Sequence, residues 1–444
     1  MHSGKCIIGY AVIGNLMISG MEMTDKLKKS IIMKSAEIRL FASAFFKWVG
    51  ISILIGASAG LIGSAFYLSV AKATALREAN GRLIWFLPAG GLLIAALYRF
   101  TRTEGEGTDD IIDSILLGKA VRFALLPVIF FSTVITHLLG GSAGREGAAL
   151  QIGGSLGCNI GRLLGLDEKE ERIAVLSGMS ALFAALFGTP VTATVFALEV
   201  CSVGILHYSG LVPCAVSSVT AFGITRLFGI APTHFEVSSI PYATGSFVKV
   251  AVLAALCAVL SVIFCELLHA SARLASKSLP NPFIRAFAGG CLLIGMTFLS
   301  GTRDYNGGGV NIIVSAIEQG SARPEAFLLK MLFTAVTIAF GFKGGEIVPT
   351  FFVGSAFGCV LGPLLGLPAG FSAAIGLAAL FCGGVNCPVA SLFLSIEIFG
   401  SEGLLYFALA CFISYMLSGY TGLYHEQKIV YSKLKAEYVN IKSD

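Results

Sequence analysis

Apolar runs dominate this chain. They cover residues 48–71, 83–98, 123–144, 173–198, 205–225, 250–265, 286–300, 331–342, 349–381 and 403–417. A lipid interior has no water to satisfy backbone N–H and C=O groups, so only helices or closed barrels cross it. A crossing helix takes about 20 apolar residues. Several runs exceed that length, several fall short, and glycine interrupts many of them. The pattern predicts an all-α polytopic membrane protein in which tilted crossing helices alternate with half-membrane helices. Charge agrees. Only 13% of residues are charged, against about 25% in soluble domains, which leaves too little charge to coat a water-soluble fold.

The chain also matches itself. Gly141-Ser-Ala-Gly144-Arg-Glu146 faces Gly341-Phe-Lys-Gly344-Gly-Glu346, and Gly107-Thr-Asp-Asp faces Gly309-Val-Asn-Ile. Gly161-Arg-Leu-Leu-Gly-Leu faces Gly362-Pro-Leu-Leu-Gly-Leu, and Pro190…Glu199 faces Pro388…Glu397. The four matches come in the same order, so each half is expected to be one structural unit, 41–228 and 246–420. The loop 161–172 carries Arg162, Lys169 and Arg172 beside Asp167, Glu168, Glu170 and Glu171, whereas 362–370 carries no charge. The bias of cations toward the cytoplasm puts these two loops on opposite sides. That is an inverted-topology repeat, with substrate bound near the midplane between the halves.

The net charge of +5 gathers at the ends, with Lys26, Lys28, Lys29, Lys34 and Arg39 before the first long run and Lys428, Lys433, Lys435 and Lys442 after the last. Both termini are therefore expected in the cytoplasm of a multi-pass cell-membrane protein. Residues 1–40 read as an N-terminal cytoplasmic segment of uncertain start, with Met21, Met23 and Met33 as alternatives. The stretch 6–19 is too short for a secure span and lacks a signal-peptide cleavage pattern. Residues 421–444 read as a short cytoplasmic tail with no soluble regulatory domain. No basic face for nucleic acid is visible. The eleven cysteines lie scattered in apolar runs without metal-ligand spacing and read as reduced core residues. No metal or cofactor is implied.

Each paired glycine motif breaks an apolar run just before a helix. The first N–H groups of a helix lack intrahelical partners and lie at the positive end of its dipole. Several such ends meeting in a membrane make an anion site without a full positive charge, suited to an ion that must also leave. Glu146 and Arg145 are the only formal charges between Phe123 and Ile160. A glutamate at such an end is itself an anion. Ionised, it fills the site; protonated, it is neutral and swings away, which makes it a gate and a proton carrier. A Glu–Arg pair fixing two helix ends is the structural alternative, and Arg145 reads as a structural or field-shaping residue. Glu346 is the repeat mate of Glu146, with proton transfer or a Lys343 ion pair as its two readings. Glu199 and Glu397 read as helix caps or pins ahead of proton transfer. Asn386 reads as an N-cap. Glu106 and Thr108 precede a helix. From position alone, Tyr424 reads as an interfacial aromatic.

At these residues the chain resembles the CLC family of chloride channels and anion–proton antiporters. GSAGREG (141–147) is similar to the family's gating-glutamate motif, GGEIVP (344–349) to its G-x-F-x-P motif, and GEGTD (105–109) to its G-S-G-x-P motif. Tyr424 lies where the family has its ion-coordinating tyrosine. The resemblance implies a CLC-like homodimer with one pore per subunit. It implies gating and proton transfer at Glu146 and Glu346, and anion contacts at Gly105, Glu106, Gly107, Thr108, Gly144, Arg145, Gly147, Gly345, Ile347, Val348 and Tyr424. Asn386, Glu199 and Glu397 stand as selectivity or structural positions. Ala148 replaces the usual Pro, Ile347 the usual Phe, and Glu106 or Thr108 the central Ser. The inner glutamate of chloride–proton antiporters falls at Val200, one past Glu199. Glu346 resembles the branch that exchanges fluoride for protons, so fluoride is the first expectation. A chloride–proton antiporter or passive chloride channel is the alternative. An enzyme is not expected: His137 and the glutamates are its only raw material. A non-transporting scaffold would leave the glutamates in both halves unexplained.

Overall fold

The computed structural model describes residues 4–238 and 240–443, with side chains from residue 33 onward. The expectations for residues 1–40 fall largely on side chains outside the described residues. The chain divides into two compact units, Met1–Ile51 and Ser52–Asp444. The first is helical from Gly4, within α1 (Gly4–Ala79).

The second holds two series of helices in the same order. In the first series, α2 (Leu87–Thr101), α3 (Thr108–Leu117), α4 (Leu125–Leu139) and α5 (Glu146–Leu163) precede α6 (Glu168–Phe187), α7 (Pro190–Glu199) and α8 (Leu211–Leu227). In the second, α9 (Thr244–Ser278), α10 (Pro282–Ser300), α11 (Val310–Glu318) and α12 (Ala326–Ala339) precede α13 (Ile347–Leu364), α14 (Ala369–Val385), α15 (Pro388–Phe399) and α16 (Leu404–Leu417). Among the described residues, Met33–Ala79, Gly81–Thr101, Tyr208–Leu227, Thr244–Ser278, Pro282–Ser300 and Ile347–Leu364 are long and apolar enough to cross a membrane. Six more apolar helices are too short to do so alone. The long run 173–198 is cut by Gly188, which turns with φ 72°, and then by Pro190 at the start of α7. The run 349–381 is cut likewise, Leu365–Pro368 separating α13 from α14.

Three reciprocal contacts relate the halves by a local two-fold. Gly144 and Gly345 pair antiparallel, each N–H donating to the other's carbonyl at 2.7 and 2.8 Å. The Thr337 hydroxyl accepts the Ser142 N–H at 2.9 Å, and its counterpart Thr136 accepts the Lys343 N–H at 3.2 Å. The Glu199 carboxylate accepts the N–H groups of Val389 and Ala390 at the start of α15, at 3.2 and 2.8 Å. Glu397 does the same for Val191 and Thr192 at the start of α7, at 3.0 and 2.7 Å. Equivalent residues meet in this way only across a two-fold, the arrangement of an inverted repeat.

One element departs from the all-α expectation. The tail folds into β2 (Lys428–Tyr431) and β3 (Tyr438–Lys442), and β2 runs parallel to β1 (Ser202–Val203), just beyond α7. The segment is polar and β-branched, and Ser202–Val203 presents it with a free backbone edge. A buried amide secures it: Gln427 Nε2 donates to the carbonyls of Val200 and Val385, both at 2.8 Å.

Glycine sets the helix spacing inside each half. Gly153 and Gly178 bring α5 and α6 so close that a Cβ on either would lie 2.2 or 2.0 Å from the other's carbonyl oxygen. Gly354 and Gly376 do the same for α13 and α14, at 2.4 and 2.2 Å. Gly178→Val should therefore destabilise the fold by at least about 1–3 kcal/mol through overpacking. Gly223→Ala, where a Cβ meets nothing within 4 Å, should be neutral or stabilising by up to about 1 kcal/mol. Thermal unfolding in detergent checks both; equal melting temperatures would contradict this packing.

Candidate functional site

The site is built where the first turns of α5 and α13 meet. The Gly144–Gly345 pairing leaves no room for side chains. A Cβ on Gly345 would lie 2.2 Å from Gly147 N, and one on Gly147 would lie 2.7 Å from Gly345 Cα. Glu146 opens α5, with Arg145 as N-cap; Glu346 is the N-cap of α13. Two positive helix ends thus face one centre, each with a glutamate at it.

Glu146 is 2% exposed. Its Oε2 accepts the Arg145 N–H at 2.9 Å, so the carboxylate lies over the α5 N-terminus, and its Oε1 is 3.3 Å from Arg145 Nε. The Arg145 guanidinium is 4.1 Å from the centre of the Tyr67 ring. A cavity of about 650 Å³ leads to this carboxylate, lined by Arg77, Arg145, Arg303, Asn306 and Val348 among others. Val348 also packs beside Gly144, where a Cβ would come within 3.0 Å of its own. Ile347, one residue earlier, is fully buried in the core.

Glu346 is half-buried. A Cβ on Gly147 would come within 3.2 Å of its Oε2, so its carboxylate borders the same junction. No ion pair joins it to Lys343 among the described residues. Lys343 turns to α2, with its ammonium 4.3 Å from the centre of the Tyr98 ring. An aromatic face substitutes for a carboxylate there.

The α3 end and the tail supply a third wall. Gly107 is the N-cap of α3, and its N–H donates to Asp110 at 2.9 Å. Gly105 turns in the left-handed region, φ 82°. The Thr108 hydroxyl accepts from Gln151 Nε2 of α5 at 3.1 Å. Asp109 accepts the Glu426 N–H at 3.2 Å, tying α3 to the tail. Beyond the membrane core, Lys442 pairs with Glu426 and holds that carboxyl below its usual range. Glu106 instead faces Arg122 at 3.4 Å. Tyr424 is not an interfacial aromatic: it is 2% exposed and its hydroxyl, like Gln151 Oε1, is buried without a hydrogen-bond partner. Glu346 and Asp109 are within its electrostatic reach.

Asn386 is also placed differently from its sequence reading. It is the C-cap of α14, left-handed at φ 57°, and Cys387 is the N-cap of α15. Asparagine tolerates this conformation better than most residues. Its amide donates to Thr421 O and accepts from Lys433 Nζ at 2.5 Å. Glu199 and Glu397 lie apart from the junction, each capping the other repeat's helix.

Sequence reading missed Lys330. It is fully buried in α12 and its ammonium donates to the carbonyls of Gly307 at 2.6 Å and Tyr305 at 3.2 Å, holding the loop that borders the cavity. Its signal was a lone cation beside an apolar run. Gln151 and Thr136 had no such signal, being ordinary polar residues on apolar helices.

The orphaned hydroxyl yields a prediction. Tyr424→Phe removes no internal hydrogen bond, so folding stability should change by less than about 1 kcal/mol or rise. Anion binding should weaken by about 1 kcal/mol or more, since an ion there loses a donor. Thermal unfolding without halide and calorimetric fluoride titration check the two halves separately.

The sequence profile described as voltage gated chloride channel matches residues 90–419. A chloride/fluoride channel protein of Pseudomonas syringae pv. tomato is 34% identical over 396 residues, covering 87% of each chain. Among solved structures, a CLC-type fluoride/proton antiporter superposes with TM-score 0.84 at 31% identity, over 86% of this chain and 98% of that one. A slow cyanobacterial chloride/proton antiporter shares the fold, with TM-score 0.72 at 19% identity over 84% and 94% of the two chains. With most of its length matched by profile, relative and fold alike, the chain belongs to the voltage gated chloride channel, or CLC, family.

Proposed function

We propose that this protein is a proton-coupled antiporter that exchanges fluoride for protons across the cell membrane. The observation that carries the reading is the Glu146 carboxylate lying over the α5 N-terminus at the end of the cavity. An anion arriving there competes with a carboxylate for the same N–H groups. Protonation neutralises the carboxylate and releases it, so one proton and one anion use the site in turn. Glu346 is the second proton carrier, at the opposed helix end. Fluoride is small and a strong hydrogen-bond acceptor, which suits backbone N–H groups and the Tyr424 hydroxyl. The likeness to a fluoride/proton antiporter supports this choice.

The anion path uses Gly144, Arg145, Gly147, Gly345, Ile347 and Val348 at the junction, and Gly105, Gly107, Thr108 and Tyr424 at the α3 side; Glu106, facing Arg122, is not part of it. Glu199, Glu397 and Asn386 serve as structural residues. The working unit is a homodimer in lipid, built of repeats 41–228 and 246–420 with a cytoplasmic segment 1–40 and tail 421–444.

Proteoliposomes test this. A fluoride gradient should drive proton movement more strongly than a chloride gradient; equal or greater coupling with chloride would reverse the selectivity. Glu146→Gln, neutral and unable to carry a proton, should abolish coupled proton movement, and normal pH-driven transport by it would remove Glu146 from this role. Glu346→Gln should uncouple exchange while the protein still folds. Lys343→Met, which breaks no Glu346 ion pair, should not reproduce that loss; if it does, and the double variant recovers coupling, Glu346 is structural.

A further inference from the structure

The exchange reading leaves open how protons reach Glu346 from the tail side. The inner glutamate of chloride–proton antiporters has no counterpart there, its position being Val200. Two histidines meet near Tyr424. His269, in α9, and His425, next to Tyr424 in the tail, stack with ring centres 3.7 Å apart and planes at 30°. His269 is 7% exposed, and its Nε2 is buried without a hydrogen-bond partner. His425 is exposed. One ring thus meets solvent and the other is sealed inside.

The inner ring shares its helix face with a residue close to the site. His269 follows Cys265 by one turn, on the same face of α9. Cys265 and Tyr424 are both within electrostatic reach of Glu346. The charges facing the pair come from three elements: Arg273 on α9, Asp109 on α3 and Glu426 in the tail. Imidazole takes and yields protons near neutral pH. Two stacked rings cannot both be charged cheaply, so the pair holds one proton at a time.

Resting on the proton-exchange reading, we infer that His269 and His425 form a proton-loading station. It takes a proton from the tail-side solution and passes it to the Glu346 carboxylate. The proton binds a ring nitrogen of His425 and moves to His269. It leaves for a Glu346 oxygen, and both rings return to neutral.

The rival role is mechanical, the stack pinning the tail to α9. The double change His269→Phe, His425→Phe keeps two stacked rings and removes both titrating groups. In proteoliposomes of the full-length protein, fluoride-driven proton uptake should fall about a hundredfold, the low end of what a positioned acid–base group contributes. Calorimetric fluoride affinity should stay within about twofold of the parent. The milder His425→Gln, at an exposed position, should slow proton uptake by about threefold or more and shift its pH profile; it decides the matter if the double variant does not fold. Parental proton rates and pH profile in either folded variant overturn the station, as does loss of fluoride binding with proton movement in the Phe pair. If the unmodified protein moves no protons with fluoride, the exchange reading fails instead.

Discussion

Gly144 and Gly345 exchange both of their backbone hydrogen bonds, and the rest of the molecule is arranged around that contact. Two helices that point their N-termini at each other present like partial charges. The paired strands of peptide between them hold those ends together, and the absence of side chains at Gly144, Gly147 and Gly345 lets the backbones close to contact. The closeness concentrates positive potential in a low-dielectric interior, where an anion is otherwise costly. It also sets where Glu146 and Glu346 must stand, because each stands at the start of one of the two opposed helices.

The carboxylates at the starts of α5, α7, α13 and α15 are of two kinds. At α7 and α15 the carboxylate comes from the other repeat and accepts two N–H groups. Such a group is held from both sides and stitches the halves together. At α5 and α13 the glutamate belongs to the helix start itself. Glu146 accepts from the Arg145 backbone and side chain and borders an open cavity. Its partners lie at its own helix start rather than in the other repeat, and the cavity leaves space beside it. The same interaction, an anion on a helix dipole, links the two repeats in one place and borders an open cavity in the other.

The tail belongs to this machinery. Gln427 joins the ends of α7 and α14, Lys433 donates to Asn386 and to the Tyr415 carbonyl near the end of α16, and Glu426 meets Asp109 of α3. These bonds hold Tyr424, which lies between the last helix and the strands, inside the protein.

The membrane class, the two-fold repeat and the glutamates at two helix starts were legible in the chain by itself. Apolar runs, glycine breaks and a lone charge among apolar residues are local properties, and their physical meaning in lipid does not depend on partners. The tertiary structure decided what each polar group meets. Glu199 and Glu397 have the same local signature whatever they meet; the packing of α7 against α15 sets each on the start of the other repeat's helix. Lys343 lies three residues from Glu346 in sequence, yet its ammonium lies over the Tyr98 ring. Tyr424 follows the last apolar run, where interfacial aromatics gather, yet the strands beyond it fold back and bury it. Asn386 precedes a helix but closes the one before it. In each case the deciding neighbour lies in another element, brought there by close glycine packing and the two-fold, and no periodicity in the chain records which neighbour that is.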